Sequence, residues 1–224
     1  MKYKIIFISL LLVANINCIA QKEKTDYKIV NKISVAGDGG WDYISIDENS
    51  GRLFVSHGMV TNVVDCKSGK LISTIEDTKG VHGIAIAPLE NKAFISCGRD
   101  SSVTIINLTT LAFITKVKVT GANPDAILYD SFSNKIFVYN GRSSNATVID
   151  AKTNDVIATI PLEGKPEFSV SDEKGKIYVN IEDKNMIAEI NSTTLKVENN
   201  WSITPGEEPS GLALDTISHR LFSV

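Results

Sequence analysis

The stretch Lys-Ile-Phe-Val-Tyr-Asn at residues 135–140 decides the fold, because close variants of it return along the 224-residue chain. These variants are Arg-Leu-Phe-Val-Ser-His at 52–57, Lys-Ala-Phe-Ile-Ser-Cys at 92–97, Lys-Ile-Tyr-Val-Asn-Ile at 176–181 and Arg-Leu-Phe-Ser-Val at 220–224. Their aromatic positions are 40, 43, 41 and 44 residues apart, at Phe54, Phe94, Phe137, Tyr178 and Phe222. Short apolar runs at this period are typical of four-stranded propeller blades of about 40–50 residues. We therefore predict an all-β fold, a β-propeller.

Each repeat divides into four short runs, which the third copy shows clearly. They are Ala126–Tyr129, Lys135–Asn140, Ala146–Asp150 and Val156–Ile160, and Gly, Asn, Asp and Ser residues fill the links between them. These residue types favour turns. The first run is the most apolar and suits the innermost strand. The last run alternates in polarity and suits an outer strand with one solvated face.

The repeats place blades near residues 41–75, 81–119, 124–162 and 166–204, with an incomplete blade at 209–224. Residues 27–35 match the fourth run of a blade but lack the three runs before it. We expect this segment to be the outer strand that closes the ring, paired with a last blade that the sequence does not contain. Residues 21–224 are thus predicted to be a truncated propeller of about four and a third blades.

The first twenty residues have the features of a signal peptide. Lys2 and Lys4 precede an apolar stretch, residues 5–16, that is too short to span a bilayer, and Ala20 is a small residue before the expected cleavage site. Two alternatives stay open: a lipoprotein acylated at Cys18, and an uncleaved anchor. We expect a periplasmic or secreted protein with no membrane span after cleavage.

The charge of the chain argues against nucleic acid as a partner. The formal net charge is −3, and it becomes −5 when residues 1–20, with two lysines and no acid, are removed. Proteins that bind nucleic acid normally carry a basic surface. The mature chain keeps Cys66 and Cys97, which lie at opposite ends of their predicted strands, so we expect two unpaired thiols.

Loops that lead into the inner strands carry a polar residue at an equivalent position in every repeat. These positions are 40, 43, 42 and 43 residues apart, at Asp42, His82, Asp125, Glu167 and Ser210. A propeller places these loops around one mouth of its central channel. We predict a ring of polar side chains there that binds a ligand. The alternative is that the carboxylates only bond to backbone amides of the neighbouring blade.

The loops between second and third strands lie at the same mouth and add further candidates. Arg99 and Arg142 are equivalent, and Glu182 follows the same strand one repeat later. Arginine suits carboxylate or phosphate ligands, but either arginine can instead form an ion pair between blades, with Asp100 or Glu182 as acceptors. We predict no cofactor. A divalent metal stays open, with His57 and His82 as candidate ligands beside a carboxylate.

Three other groups are assigned to structure rather than to a site. Asp47, Asp130, Asp172 and Asp215 end the inner strands and lead into turns on the opposite face, where His219 also lies. Trp41 and Trp201 flank the channel loops, and we expect both to pack rather than to stack on a ligand. The chain contains no GxSxG, GxGxxG or P-loop motif and no CxxC or Cys/His metal-binding spacing.

The segment Tyr178–Asn185, followed by residues 189–196, resembles the YVTN repeat. Together with Gly80–Ala85, Asn140–Arg142 and Lys165–Phe168, it makes residues 27–224 similar to exported YncE-like β-propeller proteins of bacteria. The resemblance implies seven blades in a complete protein and a periplasmic or secreted location. It implies no defined reaction, and it carries over no catalytic residue.

Two functions of different classes remain from the sequence. The first is a non-enzymatic binding or scaffold protein whose loop face takes an envelope protein, a peptide or a small anionic molecule. The alternative is a lactonase-like, metal-assisted hydrolase, because the wider group of seven-bladed propellers includes lactonases. A DNA-binding propeller ranks third, since the negative charge does not favour it.

Overall fold

The structure is a computed structural model that describes residues 27–224, and the predicted signal peptide lies outside this range. The described residues form four antiparallel four-stranded sheets and one two-stranded sheet, without an α-helix. Blade 1 contains β1 (Trp41–Asp47), β2 (Arg52–His57), β3 (Val60–Asp65) and β4 (Leu71–Ile75), and blade 2 contains β5 (Val81–Ala87), β6 (Lys92–Cys97), β7 (Ser102–Asn107) and β8 (Phe113–Lys118). Blade 3 contains β9 (Pro124–Asp130), β10 (Lys135–Asn140), β11 (Asn145–Asp150) and β12 (Val156–Pro161). Blade 4 contains β13 (Pro166–Ser171), β14 (Lys176–Ile181), β15 (Met186–Asn191) and β16 (Lys196–Ser202), and β17 (Leu212–Asp215) pairs with β18 (Arg220–Ser223).

This architecture confirms the prediction of an all-β propeller built from four-stranded blades, with about four blades present. In each complete blade the strands follow one another in sequence order, so hairpins join all neighbours. The first strands β1, β5, β9, β13 and β17 lie side by side. The first four of them line a concave space of about 300 Å³ on the inner side of the blades.

Aspartates at the ends of the inner strands stabilise the turns that follow. Asp130 is fully buried, and its carboxylate accepts hydrogen bonds from the Ser133 amide (3.0 Å), the Ser133 hydroxyl (2.6 Å) and the Ser171 hydroxyl of blade 4 (2.6 Å). Asp47 and Asp215 accept bonds from their own turns in the same way. These contacts confirm the structural role predicted for the series.

The core lies between adjacent blades and is formed by the repeated second and third strands. Phe54, Phe94 and Phe137 are fully buried there, each among isoleucines and valines of its own and the next blade. The last two aromatic positions differ: Tyr178 is half-buried and Phe222 is 54% exposed. Full burial at this position therefore requires a complete blade on the following side.

Side chains in the second strands also connect the blades by hydrogen bonds. The Ser96 hydroxyl of blade 2 donates to the backbone carbonyl of Asp125 in blade 3 (2.5 Å) and accepts from the Gly83 amide (2.8 Å). In blade 4, the Asn180 amide donates to the carbonyls of Ser210 and Gly211. The inner strands are thereby held at fixed spacing around the channel.

The predicted ring-closing strand at 27–35 is not a strand in the structure, where residues 27–40 form no sheet pairing. A strand needs a partner, and the blade that would supply this partner is not among the described residues. The ring-closing role stays a prediction. Of the helical turns between residues 27 and 224, none has the length and apolar character needed to span a bilayer.

The two described cysteines are separate thiols. Cys97 is fully buried at the end of β6, and Cys66 is half-buried just after β3. Burial raises the pKa of the Cys97 thiol, because the thiolate would lose its hydration.

Candidate functional site

The inner strands bring three of the predicted side chains together at one mouth of the channel. Asp42, His82 and Asp125 occupy the second positions of β1, β5 and β9. The His82 Nδ1 atom lies 2.7 Å from Asp42 Oδ2 and 3.7 Å from Asp125 Oδ1. Each of the three residues offers one ligand-type atom within 4.8 Å of the other two. We call these three residues the Asp–His–Asp cluster.

A bulge at the same point of each inner strand accounts for this convergence. The pairing of β1 with β2 shifts in register between Trp41 and Ile44, which leaves Asp42 outside the regular alternation. Equivalent shifts occur at His82, Asp125 and Glu167 in β5, β9 and β13. An extra residue in one strand turns its side chain away from the pleat, here toward the channel mouth.

Burial and nearby negative charges destabilise the ionised form of the Asp125 carboxyl group. Its pKa is raised, first because the group is buried and then because Glu167 and Asp42 repel its charge. His82 and Lys165 oppose the shift without cancelling it. Within residues 27–224 the Asp125 side chain accepts no hydrogen bond, and the His82 ring is its nearest partner.

The fourth residue of the predicted ring has a different environment. Glu167 is 8% exposed, and its Oε1 atom lies 2.7 Å from the ammonium group of Lys165, which also binds the carboxylate of Glu182. The hydrogen bonds that the Lys165 ammonium donates to these two carboxylates raise its pKa. Asp183 fixes the same loop by accepting a bond from the Lys165 amide (2.7 Å). Glu167 and Glu182 therefore share one ammonium partner, and Glu167 pairs with a lysine of its own loop rather than with backbone amides of the neighbouring blade.

Both predicted arginines lie beside the Asp–His–Asp cluster. Arg99 and Arg142 are exposed and line one recess of about 350 Å³. The recess is also lined by Gly40, Trp41, Asp42, Gly58, Gly80, Val81, His82 and Asn123. We call it the mouth recess.

Neither arginine has a carboxylate partner among residues 27–224. Arg99 contacts the sulfur of Met59 at 3.5 Å. The acceptors considered for an inter-blade pair are taken by other groups, since Asp100 binds Lys116 (3.2 Å) and Glu182 binds Lys165. The guanidinium groups consequently remain available at the mouth recess.

His57 lies outside the Asp–His–Asp cluster, although the sequence analysis named it with His82 as a candidate metal ligand. Its ring is buried and stacks on Trp41, with the ring centres 3.8 Å apart. Nδ1 lies 3.0 Å from Asn62 Oδ1, and Nε2 lies 3.0 Å from the Asp38 carbonyl oxygen. Both nitrogens are engaged, so His57 stabilises the loop before β1. Trp41 packs one face of its ring on His57, but it is 48% exposed and also lines the mouth recess.

Two glycines make room for the functional side chains. A Cβ atom at Gly98 would lie 2.8 Å from Nε2 of His82, so only glycine allows the imidazole to keep its position. Gly80 has a positive φ of 61°, and a Cβ atom there would meet Cγ of Arg99 at 2.5 Å. Sequence reasoning did not select either position.

Comparison with solved structures shows the fold and nothing finer. The chain is similar to hydrazine synthase of Kuenenia stuttgartiensis, with a TM-score of 0.69 and 18% identity over 84% of this chain and 55% of that one. It is also similar to the β-propeller domain of Cps50 (Swd1) from Myceliophteria thermophila, with a TM-score of 0.70 and 10% identity over 87% of this chain and 64% of that one. This chain is a β-propeller.

The sequence comparisons add no relative. No protein-family model matches the chain, and no curated protein matches it either. The YncE-like resemblance therefore stays a prediction. The chain spans less than two thirds of the length of both similar structures, and identities of 10% and 18% carry no functional argument.

Proposed function

We propose that this β-propeller is an exported, non-enzymatic binding protein whose loop face takes a small anionic molecule or an acidic segment of a peptide or protein. The observation that carries the proposal is the pair of exposed arginines, Arg99 and Arg142, in the mouth recess without carboxylate partners among the described residues. Guanidinium groups recognise carboxylates and phosphates through paired hydrogen bonds.

The size and rigidity of the site also support binding. A recess of about 350 Å³ accommodates a small organic acid, near the lower end of the range for ligand sites. Its walls are loops at the ends of strands that are fixed by inter-blade hydrogen bonds such as that of Ser96. The arginines are therefore presented by a rigid scaffold, which lowers the entropy cost of binding.

The test measures binding of three probes by calorimetry: succinate, inorganic phosphate and a hexaglutamate peptide. Arg99→Gln and Arg142→Gln remove one charge each at the mouth recess. Arg220→Gln is the matched control, because Arg220 is an exposed arginine on β18. We expect saturable binding of at least one probe, weakened roughly 10-fold or more by either recess variant and unchanged by the control. Equal affinities in all four proteins, or no saturable binding, would overturn the proposal.

A lactonase-like hydrolase remains the second candidate, and the Asp–His–Asp cluster is the observation that favours it. Two carboxylates and an imidazole can serve as a general base or as metal ligands. The measurement is hydrolysis of a γ-lactone in the presence of Zn²⁺, compared with His82→Ala and Glu167→Ala. Turnover that His82→Ala abolishes while folding is retained would favour the enzyme; absence of turnover in the wild type would exclude this candidate for that substrate class.

A further inference from the structure

The spacing of the Asp–His–Asp cluster is close to that of a metal site. Zn²⁺ binds nitrogen and oxygen ligands at about 2.0–2.2 Å, so the ligand atoms of a tetrahedral site lie roughly 3.3 Å apart. The His82 nitrogen lies 2.7 Å from the Asp42 oxygen and 3.7 Å from the Asp125 oxygen. Both distances differ from the tetrahedral spacing by about half an ångström, and the two aspartate oxygens lie within 4.8 Å of each other, so side-chain rotations can bring the three atoms to a metal.

The donor set also suits a transition metal rather than a hard cation. One imidazole with two carboxylates is a mixed nitrogen and oxygen set, which Zn²⁺, Mn²⁺ and Fe²⁺ accept, whereas Ca²⁺ and Mg²⁺ prefer oxygen alone. Three protein ligands leave at least one coordination position open. In proteins an open position of this kind holds water or a ligand.

Within residues 27–224, the carboxylates of the cluster have no lysine or arginine partner, and a bound metal ion would supply the missing positive charge. Asp42 and Asp125 both approach the Nδ1 atom of His82, and Lys165 is bound to Glu167 and Glu182. A neutral imidazole gives the two aspartates one shared donor and no charge. A divalent ion held by all three side chains would offset the repulsion between the two carboxylates.

The mouth recess joins the cluster to the two arginines. Asp42 and His82 line the same recess as Arg99 and Arg142, so a metal ion bound by these two side chains would lie at the wall of that recess. An anion in the recess can therefore contact a metal and both arginines together.

We propose that Asp42, His82 and Asp125 bind one divalent transition-metal ion, with Zn²⁺ as the reference, and that its open position takes the anionic group held by Arg99 and Arg142. The proposed metal site does not depend on the proposed function, whereas binding of the anion to the metal rests on it. The resident ligand is then a carboxylate or phosphate compound that bridges the metal and the arginines. His82 ligates through Nδ1, and the proton of its neutral ring resides on Nε2.

The first experiment measures Zn²⁺ binding to the full chain after removal of metal, by equilibrium dialysis with elemental analysis. His82→Gln and Asp125→Asn each remove one ligand. His219→Gln is the matched control, because His219 is an exposed histidine in the turn between β17 and β18. Visible absorption of bound Co²⁺ reports the geometry, and thermal unfolding confirms that each variant is folded.

We expect one Zn²⁺ per chain, with affinity at least about 100-fold weaker in His82→Gln and in Asp125→Asn, since even changes to groups behind the ligands cost 10- to 100-fold. His219→Gln should bind as the wild type does. A stoichiometry near zero, or equal affinity in the wild type and both ligand variants, would overturn the metal site. If His82→Gln fails to fold, Asp125→Asn and the Co²⁺ spectrum decide the matter.

The second experiment separates the metal from the anion. Succinate binding is measured with Zn²⁺ and with a chelator, and we expect Zn²⁺ to tighten it at least about 10-fold in the wild type but not in Arg99→Gln. Zn²⁺ binding without succinate should not weaken in Arg99→Gln, because the variant removes no metal ligand and takes away a like charge. Specific Zn²⁺ binding without succinate binding would support the metal site and refute the proposed anion function. Succinate binding that does not depend on Zn²⁺, together with no specific Zn²⁺ binding, would support the proposed anion function and refute the metal site.

Discussion

Replacing Ser96 by alanine should destabilise the propeller and loosen the channel mouth together. Ser96 is fully buried; its hydroxyl accepts from the Gly83 amide at 2.8 Å and donates to the Asp125 carbonyl at 2.5 Å. The variant deletes both bonds and leaves a buried donor and a buried acceptor without partners. At about 1 kcal/mol for each group, Ser96→Ala should lower the free energy of unfolding by about 2 kcal/mol.

The assay is urea unfolding followed by circular dichroism, with the slope of the transition compared between proteins. For a chain of this size, about 2 kcal/mol corresponds to a fall in Tm of about 4–8 °C. Ser73→Ala is the control, because Ser73 is a half-buried strand serine whose side chain bonds to no described residue. If Ser96→Ala and Ser73→Ala differ by less than about 0.5 kcal/mol, the assignment of Ser96 as an inter-blade contact is wrong.

Three further predictions follow from burial and charge. Asp125→Asn should be more stable than the wild type at pH 7 in the presence of a chelator, because the raised pKa of Asp125 means that folding favours its protonated form. This difference in stability should vanish as the pH falls below the usual carboxyl pKa of about 3.9. A difference in urea midpoint that stays constant from pH 3.5 to 7 would contradict the prediction. Phe137→Ala should cost about 3–5 kcal/mol, since Phe137 is fully buried, whereas Phe132→Ala, at a 55% exposed position, should cost under about 1 kcal/mol; similar costs in urea unfolding would show that the core is misplaced. Cys97 should react with a thiol reagent far more slowly than Cys66 in the folded protein at pH 8, because burial raises its pKa and blocks access; peptide mapping after labelling gives both rates, and equal rates would count against the packing of β6.

The periodic features of the fold could be predicted because each blade repeats the same order of strands and turns. The second strand at Lys135–Asn140 has the predicted bounds, and the first strand is only extended, from Ala126–Tyr129 to Pro124–Asp130. Aspartates such as Asp130 were recognisable from their place before turn residues. Position within a repeat therefore carries information about both strand and turn.

The site could be predicted only as far as equivalence between repeats reaches. The convergence of Asp42, His82 and Asp125 follows from their common position in the blades. Two contacts depend on loops that differ from blade to blade. They are the ion pair between Glu167 and Lys165 and the hydrogen bonds at both ring nitrogens of His57. Such contacts are set by tertiary packing, which no repeat pattern encodes.

The bulge that turns one side chain of every inner strand toward the channel has a consequence for how this surface can change. Each of the four blades contributes one residue at this position: Asp42, His82, Asp125 and Glu167. The strand pairing around the position is the same in all four and does not depend on the identity of the side chain. A substitution at one such position alters the chemistry of the channel mouth and leaves the neighbouring blades intact. Specificity in this architecture can thus be varied one blade at a time, at little risk to folding.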